Sequence, residues 1–317
     1  MSAATQSNFY MAPLQGYTNP FYRYAFSKVY GNISKYFTPF IEEGTSFEKQ
    51  IQYELNPKFT QDISVVPQLV TTDPKFLLMY AERMIALGFD EINLNMGCPF
   101  PMLVKRGLGG GMLKDHKVID ALLNAFFNVE LPIALSIKMR SGISTIEEGK
   151  RVFSVLNNYD IKEVVVHPRL VNQKYSGTVS FEHFDWFYKN TDHQMCANGD
   201  INSYDDYFQW RERYPDVKSF MIGRGLLTNP FLINDLNEVV SDKQVDMFKQ
   251  FHQYYYDLVV EHCINWNQAF NYLNSFWYYP LNISVEKKRL FRRLKKHNHA
   301  ESYALWLAQV WATFKTN

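Results

Sequence analysis

The chain has 317 residues, 46% hydrophobic and 21% charged, an ordinary balance for a soluble globular protein with room for one large domain and one small one. A formal net charge of +1 excludes a globally basic coat, so any site for a polyanion has to be local. Three cysteines without C-x-x-C spacing exclude a disulfide framework and a zinc site and suit a reducing cytoplasm. Met1 to Asn8 has no signal-peptide pattern, and no apolar run reaches the ~18 residues of a membrane span, so a cytoplasmic protein without a membrane partner is expected.

Taken in order, the β-branched and aromatic runs predict strands over Phe9–Leu14, Tyr36–Ile41, Val65–Val70, Glu91–Asn95, Ile133–Met139, Glu163–His167, Gln194–Ala197 and Ser219–Ile222. Amphipathic segments lie between them. Pro74–Leu87 carries Leu77, Tyr80, Met84 and Leu87 at helical spacing, and Val118–Phe127 carries Ile119, Leu122, Leu123 and Phe126. Strand–helix alternation on this scale matches an α/β fold of the (β/α)8 TIM-barrel type. A doubly wound sheet would place a glycine fingerprint after the first strand, where Ala12-Pro13-Leu14-Gln15-Gly16 stands instead. Beyond residue 240 only helical periodicity remains. A small C-terminal helical bundle over 241–317 is expected, with helices near 243–264, 267–279, 285–297 and 299–315, after a barrel over 1–240.

Chemically loaded residues recur at the expected C-terminal strand ends: Pro13, Leu14 and Gln15; Gln68; Asn95 and Cys98; Lys138 and Arg140; His167; Asn198, Gly199 and Asp200; Gly223 and Arg224. A barrel gathers those ends into one site. Lys138 interrupts an apolar strand, where a lysine is costly unless it meets negative charge. The glycine turns after the seventh and eighth strands stand where barrels commonly bind phosphate. Asn95-Met96-Gly97-Cys98-Pro99-Phe100 presents a thiol on a turn. Such a thiol is mostly protonated at neutral pH and can attack or donate a proton, and no histidine nearby in sequence favours the thiolate. Cys196 and Cys263 read as small buried hydrophobes. The remaining histidines lack metal-ligand spacing, so no metal is expected. Gly107-Leu108-Gly109-Gly110-Gly111 follows a loop rather than a strand and is read as a mobile lid over the thiol.

Ala12-Pro13-Leu14, Pro67-Gln68-Leu69-Val70, Asn95-Met96-Gly97-Cys98-Pro99, Ser136-Ile137-Lys138-Met139-Arg140, Val166-His167-Pro168-Arg169, Ala197-Asn198-Gly199-Asp200 and Ile222-Gly223-Arg224-Gly225 together resemble the tRNA-dihydrouridine synthases. The resemblance covers the barrel in order and extends into the helical segment. It implies an FMN-bearing barrel that reduces the 5,6 double bond of selected tRNA uridines with NADPH as electron source. In that reading Cys98 protonates carbon 5, and Asn95 and Arg140 hold the extruded uracil. Lys138, Gln68 and His167 contact the flavin ring, bordered by Pro13, Leu14 and Gln15, and Asn198, Gly199, Asp200, Gly223 and Arg224 take the phosphate. The chain departs from the family's pattern after the cysteine, where Phe100-Pro101-Met102 replaces a small residue followed by lysine, which implies a differently built pocket wall. Leu14 stands where methionine is usual.

Glu286-Lys287-Lys288-Arg289-Leu290-Phe291-Arg292-Arg293-Leu294-Lys295-Lys296 holds seven basic residues and one acid, which points to phosphate contact and tRNA as partner. It also separates the tRNA enzyme from a flavin barrel acting on a free pyrimidine, in the manner of dihydroorotate-type dehydrogenases, which needs no such helix. The aromatic run Phe276-Trp277-Tyr278-Tyr279 is read as core. A monomer is the expectation.

Overall fold

Among the described residues ten parallel strands form one sheet: β1 (Asn8–Met11), β2 (Lys35–Phe37), β3 (Ile41–Glu42), β4 (Val65–Val66), β5 (Gln68–Val70), β6 (Glu91–Met96), β7 (Ala134–Gly142), β8 (Val164–Leu170), β9 (Met195–Asn198) and β10 (Ser219–Ile222). The computed structural model describes residues 7–237, 243–297 and 299–314. The strand order is β3-β5-β6-β7-β8-β9-β10-β1-β2-β4. Because β3 continues β2 and β5 continues β4, with β2 on β4 and β3 on β5, the ladder closes into an eight-stranded barrel.

Two of the expected strands are therefore broken. Tyr36–Ile41 is interrupted around Pro39, and Val65–Val70 at Pro67, since proline cannot donate to the ladder. Thr38 bridges the gap. Its N–H donates to the Val66 carbonyl at 3.1 Å, and its hydroxyl accepts from Gln68 N at 2.9 Å. Conversely, β7 and β8 run past the expected ends at Met139 and His167, carrying Arg140 and Arg169.

The alternation of side chains divides the core in two. Outward-facing Ile92, Leu94, Leu135, Ile137, Val164 and Val166 pack under the helices, while Tyr10, Phe37, Val66, Val165, Cys196 and Met221 fill the barrel. Below that apolar layer Lys35 pairs with Glu91 at 2.8 Å, and Tyr10 Oη donates to Glu163 at 3.1 Å. Above it the inward side chains are polar, and the site lies there. Helix starts follow local chemistry. Asn19 caps Pro20–Val29, Asp73 caps Pro74–Ala86 and Asp115 caps His116–Phe127, each accepting a first-turn N–H.

After the barrel come helices Gln244–His262, Trp266–Tyr278, Val285–Leu294 and Ala300–Trp311, close to the four expected; the boundary near residue 240 and the end at 315 lie outside the described residues. An aromatic seam joins these helices to the barrel. Phe251 meets Tyr22, Phe26 and Tyr30 of Pro20–Val29 and the residue after it, with ring centroids at 5.1, 5.6 and 5.6 Å, and Asn19 Nδ2 donates to Tyr255 Oη at 3.0 Å. Among the described residues no helix is long and apolar enough to cross a membrane.

Candidate active site

A cleft of about 360 Å³ opens at the C-terminal end of the barrel and includes Pro13, Leu14, Gln15, Asn95, Cys98, Lys138, Arg140 and His167 in its lining. A smaller recess of about 70 Å³ continues from it between Asn198, Gly199, Asp200, Gly223 and Arg224. Strand ends from all around the barrel thus converge, because parallel strands point every C-terminus the same way. Of the expected site residues only Gln68 lines neither space.

Gln68 is fully buried in a chain of amides beneath the thiol. Its Nε2 donates to Asn93 Oδ1 at 2.7 Å, and its Oε1 accepts from Asn95 Nδ2 at 2.8 Å. Asn95 Oδ1 then accepts from the backbone N–H of Gly97 at 3.0 Å and of Cys98 at 2.9 Å. The Asn95 amide thereby shapes the turn that carries the thiol. Behind that turn the glycines are buried scaffold, not a mobile lid. Gly110 N donates to Cys98 O at 2.9 Å, and a Cβ on Gly111 would lie 2.6 Å from the Val104 carbonyl oxygen. Burial pushes the Cys98 thiol up, against the opposing pull of the Phe100 backbone N–H, Arg140 and Lys138, so the sulfur holds its proton at neutral pH.

Cations dominate the rest of the site. Lys138 Nζ donates to Asn198 Oδ1 at 2.9 Å; burial, with Arg140 beside it, brings its pKa down to about 8. Burial, with Arg169 and Arg224 adding, brings Arg140 down to about 10. Burial and the same cations hold His167 well below its ordinary value, hence neutral. Arg169 Nη1 donates to His167 Nε2 at 3.2 Å, which leaves the imidazole proton on Nδ1. Asp200 answers part of this charge. It accepts from Arg169 Nη1 at 2.8 Å and from Arg224 Nη2 at 3.0 Å, so its carboxylate fixes the two guanidinium groups. At Gly199, φ is +124° and a Cβ would lie 2.8 Å from the His167 ring, so only glycine leaves the recess open there.

Sequence reasoning missed three contributors. Arg169, read only as part of a motif, is buried and pairs with Asp200. Tyr175 stands between the two spaces with the Arg140 guanidinium 5.4 Å and that of Arg224 4.8 Å from its ring centroid. Its place in the loop after a barrel strand was the available signal. Tyr279, from the segment read as core, lines the cleft with Tyr17, their centroids 5.0 Å apart, whereas Phe276 and Trp277 are core. Cys196 is buried as expected, but Cys263 is only half-buried. Among the described residues no group of His, Cys, Asp or Glu could hold a metal ion.

The arrangement offers an acidic proton on sulfur, fixed cations and a recess suited to an anion. A sequence model of the dihydrouridine synthase family (Dus) matches residues 10–312. A tRNA-dihydrouridine(47) synthase [NAD(P)(+)]-like protein of Arabidopsis thaliana is 30% identical over 174 residues, which are 51% of this chain and 24% of that protein. A probable tRNA-dihydrouridine synthase 2 of Bacillus subtilis is 26% identical over 245 residues, 75% of this chain and 74% of that protein. The chain thus spans about a quarter of the length of the plant relative. The old yellow enzyme of Trypanosoma cruzi shares the fold, with TM-score 0.52 and 8% identity over 74% of this chain and 89% of that one.

Proposed function

The chain belongs to the dihydrouridine synthase family, and on that footing we propose that it is an NAD(P)H-dependent oxidoreductase that reduces the 5,6 double bond of uridines within tRNA. The observation that carries this reading is a protonated thiol, Cys98, on the wall of a cleft that Lys138 and Arg140 also line. The residues suit FMN. Lys138 keeps two ammonium hydrogens beyond its bond to Asn198, Gly199 leaves bare backbone facing the recess, and Arg224 is held there by Asp200. Phosphate would rest among Asn198, Gly199, Gly223 and Arg224, with the ring between Lys138, His167 and the backbone of Pro13 to Gln15.

When bound, FMN recharged by NADPH supplies the hydride that goes to carbon 6 of the uracil. Cys98 donates the proton to carbon 5, so one hydride and one proton saturate the double bond. Arg140 and Lys138 hold the negative charge that builds on the ring before that proton arrives. Asn95 keeps the thiol at its station, with one Nδ2 hydrogen left for a uracil oxygen. A neutral His167 adds no further cation.

Outside the cleft, Lys288, Arg289, Arg292, Arg293, Lys295 and Lys296 are exposed and enter no ion pair among the described residues, while Leu290 and Leu294 anchor their helix inward. Phe291 touches Tyr278 and Tyr278 touches Tyr279 of the cleft, with centroids at 5.7 and 5.1 Å, so the cations lie a short aromatic path from the thiol. We assign residues 241–317 to tRNA phosphate contact and 1–240 to catalysis, in a cytoplasmic monomer.

The Cys98→Ala variant tests the reading. It should keep flavin and NADPH oxidation and lose dihydrouridine formation, read by mass spectrometry of digested tRNA. Native turnover in that variant, or a native protein that binds no FMN, would overturn it.

A further inference from the structure

Immediately beyond Cys98 two large apolar side chains face solvent: Phe100 is 54% exposed and Met102 67%. The backbone that carries them is fixed. Phe100 lies between Pro99 and Pro101, which stiffen the backbone on both sides. The short helix Pro101–Lys105 is pinned from below by buried Leu103, whose carbonyl accepts from Leu108 N at 2.9 Å, and by Val104 against Gly111. The Phe100 backbone N–H faces the Cys98 sulfur, so the ledge and the thiol are parts of one rigid turn.

A rigid apolar ledge beside a reactive group marks a contact surface. Its surroundings select the partner. Lys105 is exposed and makes no ion pair among the described residues, and Lys138 and Arg140 lie across the thiol. Tyr17, Tyr175 and Tyr279 line the same cleft as Cys98. A nucleobase fits: it is flat and apolar on its faces, and it arrives on a polyanion.

We propose that Phe100 and Met102 form a stacking ledge for a nucleobase that flanks the target uridine in the RNA. The inference rests on the reading that the substrate is tRNA. When a uridine leaves the stack its neighbours lose a face-to-face partner, which adds to the cost of extrusion. An aromatic ring fixed beside the thiol replaces that partner, and the flexible thioether of Met102 follows the contour of whichever base is present. Stacking of this kind tolerates any base, since each has a π-face.

The test is steady-state reduction of an unmodified tRNA transcript by the FMN-loaded native enzyme, by Phe100→Ser/Met102→Ser and by Phe100→Trp, with the flavin spectrum reporting the fold of each. The double variant should lose about tenfold to a hundredfold in kcat/KM for tRNA. Its dependence on salt should keep the native slope, because no phosphate contact is removed, whereas Lys105→Ala should flatten it by about one unit. Phe100→Trp should sustain turnover and show, against the native protein, added fluorescence quenching on binding tRNA. Native kcat/KM in the double variant, or an added indole signal in Phe100→Trp that is indifferent to saturating tRNA, would overturn the ledge while the native enzyme still formed dihydrouridine. A native dimer that the double variant dissociates without change in tRNA kinetics would overturn it in favour of a second copy. A native enzyme that forms no dihydrouridine would remove the tRNA reading itself, and the ledge with it.

Discussion

His252 sits in the core of the C-terminal helices, where burial holds its pKa at about 3 against an ordinary 6.5. The Trp277 indole N–H donates to Tyr303 Oη at 2.8 Å, which directs the Tyr303 proton to His252 Nε2, also at 2.8 Å. The imidazole is therefore a neutral acceptor. In the unfolded chain it takes up a proton near pH ~6.5. Above that pH neither state binds one and nothing is lost. Below it the unfolded state alone does, and stability falls by about 1.4 kcal/mol per pH unit until the native value near 3 is reached. From pH 7 to pH 5 the loss works out at about 2 kcal/mol. Four of the six tryptophans, Trp266, Trp277, Trp306 and Trp311, lie in these helices, so tryptophan fluorescence reports their unfolding in urea. His252→Gln keeps an acceptor for Tyr303 and cannot titrate. Its acid loss should be smaller than the native protein's by about 2 kcal/mol. Acid losses that agree within about 0.5 kcal/mol would refute the argument.

Other expectations follow from the site. Gln68→Met leaves Asn93 Oδ1 and Asn95 Nδ2 without their partner; the variant should lose about 2–4 kcal/mol in urea unfolding. Its dihydrouridine formation should fall more than its NADPH oxidation, as the Cys98 turn loosens. Asp200→Asn removes the charge that pairs with buried Arg169 and tethers Arg224. A loss of about 3 kcal/mol and release of flavin on dialysis are expected, and full flavin retention would count against the tether. Lys138, with its pKa at about 8, loses its charge as pH rises through that value. FMN affinity of the apoprotein, followed by flavin fluorescence, should hold from pH 6 to 7.5 and decline beyond 8, by at most about tenfold per pH unit. Lys138→Met should bind weakly with no such decline.

The barrel was legible because a buried parallel strand is a run of β-branched residues with little competing pattern, as in Val164-Val165-Val166. What such runs do not encode is interruption. Pro39 and Pro67 divide two strands without stopping the barrel, since Thr38 replaces the missing ladder bond with its side chain. Nor do they encode extension: Arg140 and Arg169 lower strand propensity, and tertiary surroundings draw them into β7 and β8. The helix Phe47–Glu54 has only eight residues and buries just Ile51 and Glu54, too short a pattern to mark a helix in the sequence. Strand-end residues of the site were legible from position alone. The inward turn of Gln68 was not, because the sequence says which residues reach the top of the barrel but not which of them bond to one another. Tyr279 was hidden for another reason, since a residue from the last part of the chain closes a cleft begun at Pro13.

The aromatic seam between Pro20–Val29 and Gln244–His262 bears on the choice of uridine. Interlocked rings resist sliding, so Gln244–His262 is fixed on Pro20–Val29, and the cationic helix Val285–Leu294 meets the same bundle through Phe291 on Tyr278. On the reading proposed above, RNA held on that helix meets the thiol at one fixed separation. The molecule then works as a caliper, and the nucleotide that reaches Cys98 is selected by its distance along the folded RNA rather than by its own identity.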